Sequence, residues 1–98
     1  MRNRVSYEWK VEWTDKYSDI EECDHFDGYR DARNRAAEPH EYHNVSVCLV
    51  RTVGNEDDGI LDREHAYVFR GELEEAFEAG TPVPQKFITE VRKAKEAT

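Results

Sequence analysis

Cysteine and histidine are the side chains of this sequence that most readily suggest metal chemistry. Cys23 and His25 are separated by one residue, His40 and His43 by two, and Cys48 follows five positions after His43. Thiolate and imidazole are the ligands that Zn²⁺ prefers, and four of them fill a tetrahedral site. Structural zinc sites usually contain two closely spaced pairs, however, and Cys48 lies in an apolar segment. We therefore expect no metal ligands and no cofactor, with Cys48 buried as a small apolar side chain.

The acidic segment from Asn55 to Glu64 could suggest a calcium loop, because it contains Gly59. With Gly59 at the sixth position of an EF-hand loop, Gly54 and His65 would occupy the first and twelfth positions. Those two positions require carboxylates. The segment is therefore typical of a solvated loop.

Catalytic signatures are absent from the sequence. It contains no Gly-x-Ser-x-Gly motif, no glycine-rich phosphate loop and no dinucleotide fingerprint. Cys23 is surrounded by acidic residues, which disfavour the thiolate that a cysteine nucleophile needs. Paired carboxylates are abundant, but acid–base catalysis needs two of them in different environments within a cleft. We expect no catalytic residues and no enzyme, with a metal-dependent enzyme as a distant alternative.

The acidic residues are themselves the strongest candidate for a functional surface. The chain has 22 acidic and 14 basic residues and a net charge of -8. Such a field repels nucleic acid and attracts basic protein surfaces. The acids cluster in three runs, the first from Asp15 to Asp31, the second from Glu56 to Glu64 and the third from Glu72 to Glu78. The residues that we expect to contact a partner are Asp19, Glu21, Glu22, Asp24, Glu56, Asp57, Asp58, Glu72, Glu74, Glu75 and Glu78.

These runs predict a non-catalytic interaction protein that binds a basic surface of a nucleic-acid-handling protein. Carboxylates spaced on a rigid surface can occupy a groove built for phosphates, as an inhibitor or nucleic-acid mimic does. Complementary charge would speed association and make it sensitive to salt. Small acidic proteins encoded by phages and mobile elements are similar to this chain in size and charge. The alternative is a small structural or regulatory module that forms a homodimer through a polar sheet face.

Direct binding to nucleic acid is not expected, although Tyr7, Trp9 and Trp13 could stack on bases. Their row is the only apolar face of its segment, so the core needs it. The charge is also of the wrong sign for contacts to phosphate.

The elements that must position these residues follow from periodicity. The chain of 98 residues is 38% hydrophobic and 11% aromatic, which predicts one folded domain over residues 1–98. Strict alternation from Val5 to Thr14 predicts a strand with one buried face. After an acidic loop, a helix is expected with Asp27 as its N-cap. Further strands are expected at Val45–Val50 and Ala66–Phe69, paired as an antiparallel hairpin.

Two more helical segments complete the expected order. Leu73 to Phe77 is predicted to form one or two helical turns ended by Gly80, and a final helix follows Pro84. The fold class expected is α+β, a small three-stranded sheet in the order β-α-β-β-α, with helices packed on one face. Two cysteines form no disulfide framework, no apolar run approaches a membrane span, and no signal-like stretch follows the first residues. We therefore expect a cytoplasmic protein.

Overall fold

Five antiparallel strands and two helices form the fold of this computed structural model, which describes residues 2–38, 42–73, 76–78 and 80–96. The elements in chain order are β1 (Arg4–Asp15), β2 (Glu21–Phe26), α1 (Tyr29–Ala37), β3 (Tyr42–Asn55), β4 (Gly59–Phe69), β5 (Glu72–Leu73) and α2 (Gln85–Glu96). The strands lie in the order β2-β1-β3-β4-β5. Both helices pack on one face, so the class is α+β as predicted, but the expectation of a three-stranded sheet is wrong.

The first strand that the sequence did not reveal is β2, which was expected to be an acidic loop. It pairs with β1, so that Phe26 lies opposite Trp9 and Glu21 opposite Thr14. Glu and Asp are depleted in strands, which hides the segment from sequence patterns. As an edge strand, β2 can direct those charges to solvent and still hydrogen-bond to β1.

The second unexpected strand is β5, where a short helix was predicted from Leu73. Leu73 lies opposite Val68 of β4, and Ala76 bridges to Pro82. Gly80 has a φ of 79° and donates its backbone N–H to the carbonyl of Phe77, at 2.8 Å. Gly80 therefore stands in a turn rather than at a helix end. Glu74 and Glu75, within the predicted helix, lie outside the described residues.

The core lies between the sheet and the helices. Trp9, Leu49 and Ala66 stand side by side on β1, β3 and β4, and all three are buried. The Trp9 ring lies 4.9 Å from the ring of Tyr29 on α1, and Val91 of α2 completes the cluster. Burial of this apolar surface is the main force that holds the helices on the sheet.

Helix α1 begins in an unusual way. The predicted N-cap was Asp27, but the N-cap is Gly28, which has no side chain to accept a hydrogen bond. The carboxylate of Glu90 on α2 replaces the missing cap, because its Oε1 accepts the Tyr29 backbone N–H at 2.8 Å. Its Oε2 accepts from the Trp9 indole at 3.3 Å, so one carboxylate links α2, α1 and β1.

A buried ion pair lies at the margin of this core. Arg51 of β3 donates to the carboxylate of Glu64 on β4, and the guanidinium lies 5.1 Å from the ring centroid of Phe77. Glu64 was counted in the second acidic run by sequence, but it is buried. It is therefore part of the packing and not of an acidic surface. Within the described residues, neither helix has the length and apolarity that a membrane span requires.

Candidate functional site

The first two acidic runs lie at opposite ends of the sheet. Arg4, at the start of β1, pairs with Gly54 beside the β3–β4 turn, whereas Thr14, near its end, pairs with Glu21. At about 3.3 Å per residue, the 12 residues of β1 extend over roughly 36 Å. The structure therefore brings the acids together within each run, but it does not bring the runs together.

The β1–β2 turn, which we call the acidic tip (residues 15–22), has a well-defined backbone. The Asp15 carboxylate accepts the backbone N–H groups of Tyr17 and Ser18 at 2.8 and 3.1 Å. These hydrogen bonds lower the pKa of Asp15, because they stabilise its charged form. The Asp15 N–H donates to the carbonyl of Ile20 at 2.9 Å, and Asp19 adopts a positive φ of 55°. Asp tolerates this left-handed conformation better than most residues, so the sequence suits the turn.

Apolar and acidic side chains alternate at this tip. Tyr17 is 76% exposed and Ile20 is 59% exposed, and Tyr17 is the most exposed large apolar side chain among the described residues. Asp19, Glu21 and Glu22 are exposed around them. Glu22 also accepts a hydrogen bond from the Trp13 indole at 3.1 Å, so its carboxylate is anchored to the end of β1. The tip presents an aromatic and an aliphatic side chain surrounded by negative charge.

Asp24 differs from the acids of the tip, although the sequence grouped them together. Its carboxylate accepts from Nε of Arg35 at 3.0 Å, and Arg35 also binds Glu38 at 3.1 Å. The guanidinium lies 4.7 Å from the ring of Trp13. Helix α1 therefore partly neutralises Asp24, which makes it a weaker candidate for contact with a basic partner.

The β3–β4 turn places Glu56, Asp57 and Asp58 at the far end of the sheet. Asn55 orders this turn, since its side-chain oxygen accepts the backbone N–H groups of Asp57 and Asp58 at 3.0 and 2.7 Å. Glu56 pairs with Arg4 at 3.2 Å, and both side chains are largely exposed. Exposed pairs add little stability, but Arg4 offsets the local negative charge.

The third run can be placed only in part. Glu72 lies on β5 and accepts from Lys95 of α2 at 3.4 Å. Glu78 is exposed. Glu74 and Glu75 lie outside the described residues, so the predicted ridge of four glutamates stays a prediction.

Charge is divided between the layers of the molecule. The two helices contain seven basic and three acidic residues. With a net charge of -8 for the chain, the remaining residues have a net charge of -12. Both ends of the sheet are acidic, since residues 15–24 contain five acidic residues and one basic residue, Lys16, and residues 55–64 contain five acidic residues and one basic residue, Arg63.

A second cluster of reactive side chains lies on the open face of the sheet, opposite the helices. The carboxylate Oε1 of Glu12 lies 3.2 Å from Nζ of Lys10, 3.9 Å from Sγ of Cys48 and 4.0 Å from Nε2 of His65. A groove of about 520 Å³ runs from this cluster to the acidic tip. The residues that line the groove are Lys10, Glu12, Trp13, Thr14, Glu21, Glu22, Cys23, Asn44, His65 and Tyr67.

Burial controls the chemistry of this cluster. It raises the pKa of the Cys48 thiol to about 12, and the Glu12 carboxylate adds to that shift. Burial disfavours the ammonium form of Lys10, but the hydrogen bond and charge of Glu12 together outweigh it, so the pKa of Lys10 is raised. Burial likewise raises the pKa of Tyr67. A thiol that stays protonated at neutral pH is a poor nucleophile, so Cys48 is not a candidate for covalent catalysis.

The cysteines and histidines weighed as ligands by sequence are divided by the fold. Cys23 and His25 lie together on β2, with Sγ 3.7 Å from Nε2, and Nδ1 of His25 is 2.8 Å from a carboxylate oxygen of Glu8. His43 is exposed on β3, and His40 lies outside the described residues. Cys48 is buried as expected.

Glu12 and His65, the neighbours of Cys48, were missed by the sequence analysis. Glu12 stands between the apolar Val11 and Trp13, which indicates the open face, whereas His65 stands between Glu64 and Ala66 and gives a weaker signal. Only the pairing register, with Cys48 opposite Lys10 and Val50 opposite His65, shows that they meet.

Comparisons with protein-family models, curated proteins and solved structures find no match for this chain.

Proposed function

We propose that this protein acts without catalysis, by binding a basic surface of another protein through its acidic tip. The observation that supports the proposal is the arrangement of Asp19, Glu21 and Glu22 around the exposed Tyr17 and Ile20. Aromatic residues are enriched at protein interfaces and contribute much of the binding free energy. Surrounding charges of one sign steer association and select a partner of the opposite sign.

The groove beside the tip supports the same proposal. Glu21 and Glu22 line it at the tip, and Glu12 lines it further along the open face. Its volume of about 520 Å³ is sufficient for the side chain of an arginine or lysine from a partner. A basic side chain at the tip end of this groove would meet the carboxylates of Glu21 and Glu22, while Tyr17 and Ile20 packed against apolar surface nearby.

The class of partner follows from this chemistry. Proteins that handle nucleic acid have clustered Lys and Arg side chains that bind phosphates. An acidic protein that covers such a surface would act as an inhibitor or a nucleic-acid mimic. The basic helices lie on the opposite side of the sheet from the open face, so the electrostatic field would orient the molecule as it approaches. We place this activity in the cytoplasm, where Cys23 and Cys48 would remain reduced.

The test is capture of a partner by the immobilised chain at low salt, followed by binding measurements with purified components. Two variants with equal changes of net charge separate local from general effects. Asp19→Lys/Glu21→Lys reverses the tip, and Glu38→Lys/Glu96→Lys reverses two acids in the helix layer. The control substitutions lie at the C-terminal ends of α1 and α2, where lysine suits the helix dipole.

Loss of partner binding in the tip variant, with retention in the control, is the expected result. Equal loss in both variants would show that only net charge matters. Retention in the tip variant would exclude the acidic tip as the binding surface.

The homodimer remains the alternative. Its expected interface, the open sheet face, has Cys48 and Val50 already buried beneath longer polar side chains. A stable dimer usually buries a more apolar surface than this. Light scattering over a range of protein concentrations tests the alternative, because a dimer would double the molar mass.

A further inference from the structure

Three neighbouring strands place three different metal-ligand side chains at one point of the open sheet face. Glu12 comes from β1, Cys48 from β3 and His65 from β4. One ligand atom from each lies within 4.8 Å of the other two. Cys48 comes from the middle strand of the three, because β3 lies between β1 and β4.

The imidazole of His65 has a ligand atom that no other described side chain uses. Its Nε2 is buried and has no hydrogen-bond partner among the described residues. The nearest carboxylate oxygen, Oε1 of Glu12, is 4.0 Å away, which is too long for a hydrogen bond. A buried polar atom without a partner is unfavourable, and most such atoms in folded proteins are satisfied by a side chain, a water molecule or an ion.

We propose that Glu12, Cys48 and His65 bind a Zn²⁺ ion, with the fourth coordination position open to the groove. This site is separate from the acidic tip, since Asp19 and Glu21 do not belong to it. The ligand set favours Zn²⁺ over Ca²⁺ or Mg²⁺, because those ions bind through oxygen whereas thiolate and imidazole prefer zinc.

The distances require only small movements of the side chains. Tetrahedral zinc places its sulfur, nitrogen and oxygen ligands about 3.4 to 3.6 Å from one another. The observed separations are 3.9 Å between Cys48 and Glu12 and 4.0 Å between His65 and Glu12. Rotation of the side chains would have to shorten these two separations by about 0.5 Å and bring Cys48 and His65, whose ligand atoms lie within 4.8 Å of each other, to the same spacing.

The charges also balance. When the bond from Zn²⁺ to Cys48 forms, the thiol releases one proton to solvent and binds as thiolate. His65 binds through Nε2 as a neutral imidazole with its proton on Nδ1, and Glu12 contributes one carboxylate oxygen. The thiolate and carboxylate together neutralise the two positive charges of the ion.

Lys10 opposes the binding of a cation and thereby provides a sharp test. Its ammonium lies 3.2 Å from Oε1 of Glu12, so it competes for that carboxylate and repels the ion. Lys10, Cys48 and His65 are all measured from the same oxygen, Oε1, so Glu12 can keep Lys10 and bind metal at once only if its carboxylate rotates to give one of them the other oxygen. Removal of the Lys10 ammonium should therefore strengthen metal binding. If Lys10 served only to stabilise the fold, its removal would not strengthen metal binding.

Titration of the chelator-treated full chain with Co²⁺ tests the site, because a Co²⁺–thiolate bond gives a charge-transfer absorption in the near ultraviolet. We expect the band to saturate at one equivalent of Co²⁺ and to disappear when Zn²⁺ is added. Cys48→Ser should abolish the band, and His65→Gln should weaken Co²⁺ affinity at least about tenfold. Lys10→Gln should strengthen it by about tenfold.

Cys23→Ser is the matched control, because Cys23 lies in the same groove but outside the three proposed ligands. Circular dichroism of each variant confirms that it is folded, and His65→Gln tests the site even if Cys48→Ser unfolds. A wild-type chain that shows no charge-transfer band would overturn the proposal. Loss of the band in Cys23→Ser with retention in His65→Gln would overturn it too. Neither result would bear on partner binding by the acidic tip.

Discussion

Glu90 links both helices to strand β1 through a single carboxylate. Its carboxylate accepts the Tyr29 backbone N–H at 2.8 Å and the Trp9 indole N–H at 3.3 Å. It therefore replaces the N-cap side chain that Gly28 lacks. Both donors are partly buried, so they would lose their partner and gain little from water in return.

Replacement of Glu90 by alanine should lower the free energy of unfolding by about 2 kcal/mol, because a helix cap and an indole hydrogen bond disappear together. Glu90→Gln should cost less, since one side-chain oxygen remains as an acceptor. Urea denaturation followed by tryptophan fluorescence measures both changes. Glu96→Ala, on the same helix but exposed, is the control and should change stability by less than about 0.5 kcal/mol. An equal cost for Glu90→Ala and Glu96→Ala would contradict the proposed role of Glu90.

The two cysteines should differ strongly in reactivity. Cys23 is exposed, whereas Cys48 is buried and has a pKa raised to about 12. At a pH far below this pKa, almost all of Cys48 is the unreactive thiol. The reactive thiolate forms only as the pH approaches the pKa. Native wild-type protein at about pH 8 should therefore modify at one thiol, and Cys23→Ser at none until it is unfolded. Fast modification of native Cys23→Ser would contradict the burial of Cys48.

At the scale of elements, the sequence predicted the strands and helices in which apolar side chains recur with an unbroken period. Residues Val5 to Thr14 keep a period of two, and β1 occupies Arg4–Asp15. Phe87, Ile88 and Val91 keep a helical stripe, and α2 spans Gln85–Glu96. Strand β2 was not predicted, because an edge strand can consist largely of polar residues and its acidic side chains resemble those of a loop. Without β2 and the register, neither the acidic tip nor the Glu12–Cys48–His65 cluster could be placed.

The pairing of β3 with β4 contains a further test of this register. Arg51 and Glu64 stand opposite each other on the helix side and are both largely shielded from solvent. Glu64→Leu alone should destabilise the protein by about 3 kcal/mol, because Arg51 is left as an uncompensated charge. The double variant Arg51→Met/Glu64→Leu should recover at least half of that loss. Thermal denaturation measures both, and a double variant no more stable than Glu64→Leu would argue against a direct pair.

At the scale of the whole molecule, the fold separates acidic from basic side chains. The first two acidic runs lie at opposite ends of a sheet that is roughly 36 Å long along β1. The helices are net basic, and the two ends of the sheet are each net acidic. The composition predicted an acidic surface. It could not show that the acidic residues lie at two separate ends of the sheet, or that Tyr17 and Ile20 lie among the acidic residues of the tip.

This separation means that the two acidic ends should contribute unequally to partner binding. Glu56→Lys/Asp57→Lys/Asp58→Lys reverses the β3–β4 turn, where Arg4 already offsets part of the charge. We expect this variant to lower the association rate only about two- to threefold, through the long-range field. Stopped-flow or surface-based kinetics with the captured partner measures the rate. If this variant lost more of the association rate than the tip variant, the partner would contact the β3–β4 turn and not the acidic tip, which would contradict our proposal.

The dissociation constant of the captured partner, measured for wild type and for Asp19→Lys/Glu21→Lys at low and at high salt, tests the central claim most directly. The account predicts that the tip variant binds at least about tenfold more weakly at low salt, because two favourable charges become repulsive. It also predicts that the wild-type affinity falls as salt rises and that the difference between the two proteins narrows. An unchanged dissociation constant in the tip variant, or a wild-type affinity indifferent to salt, would contradict it.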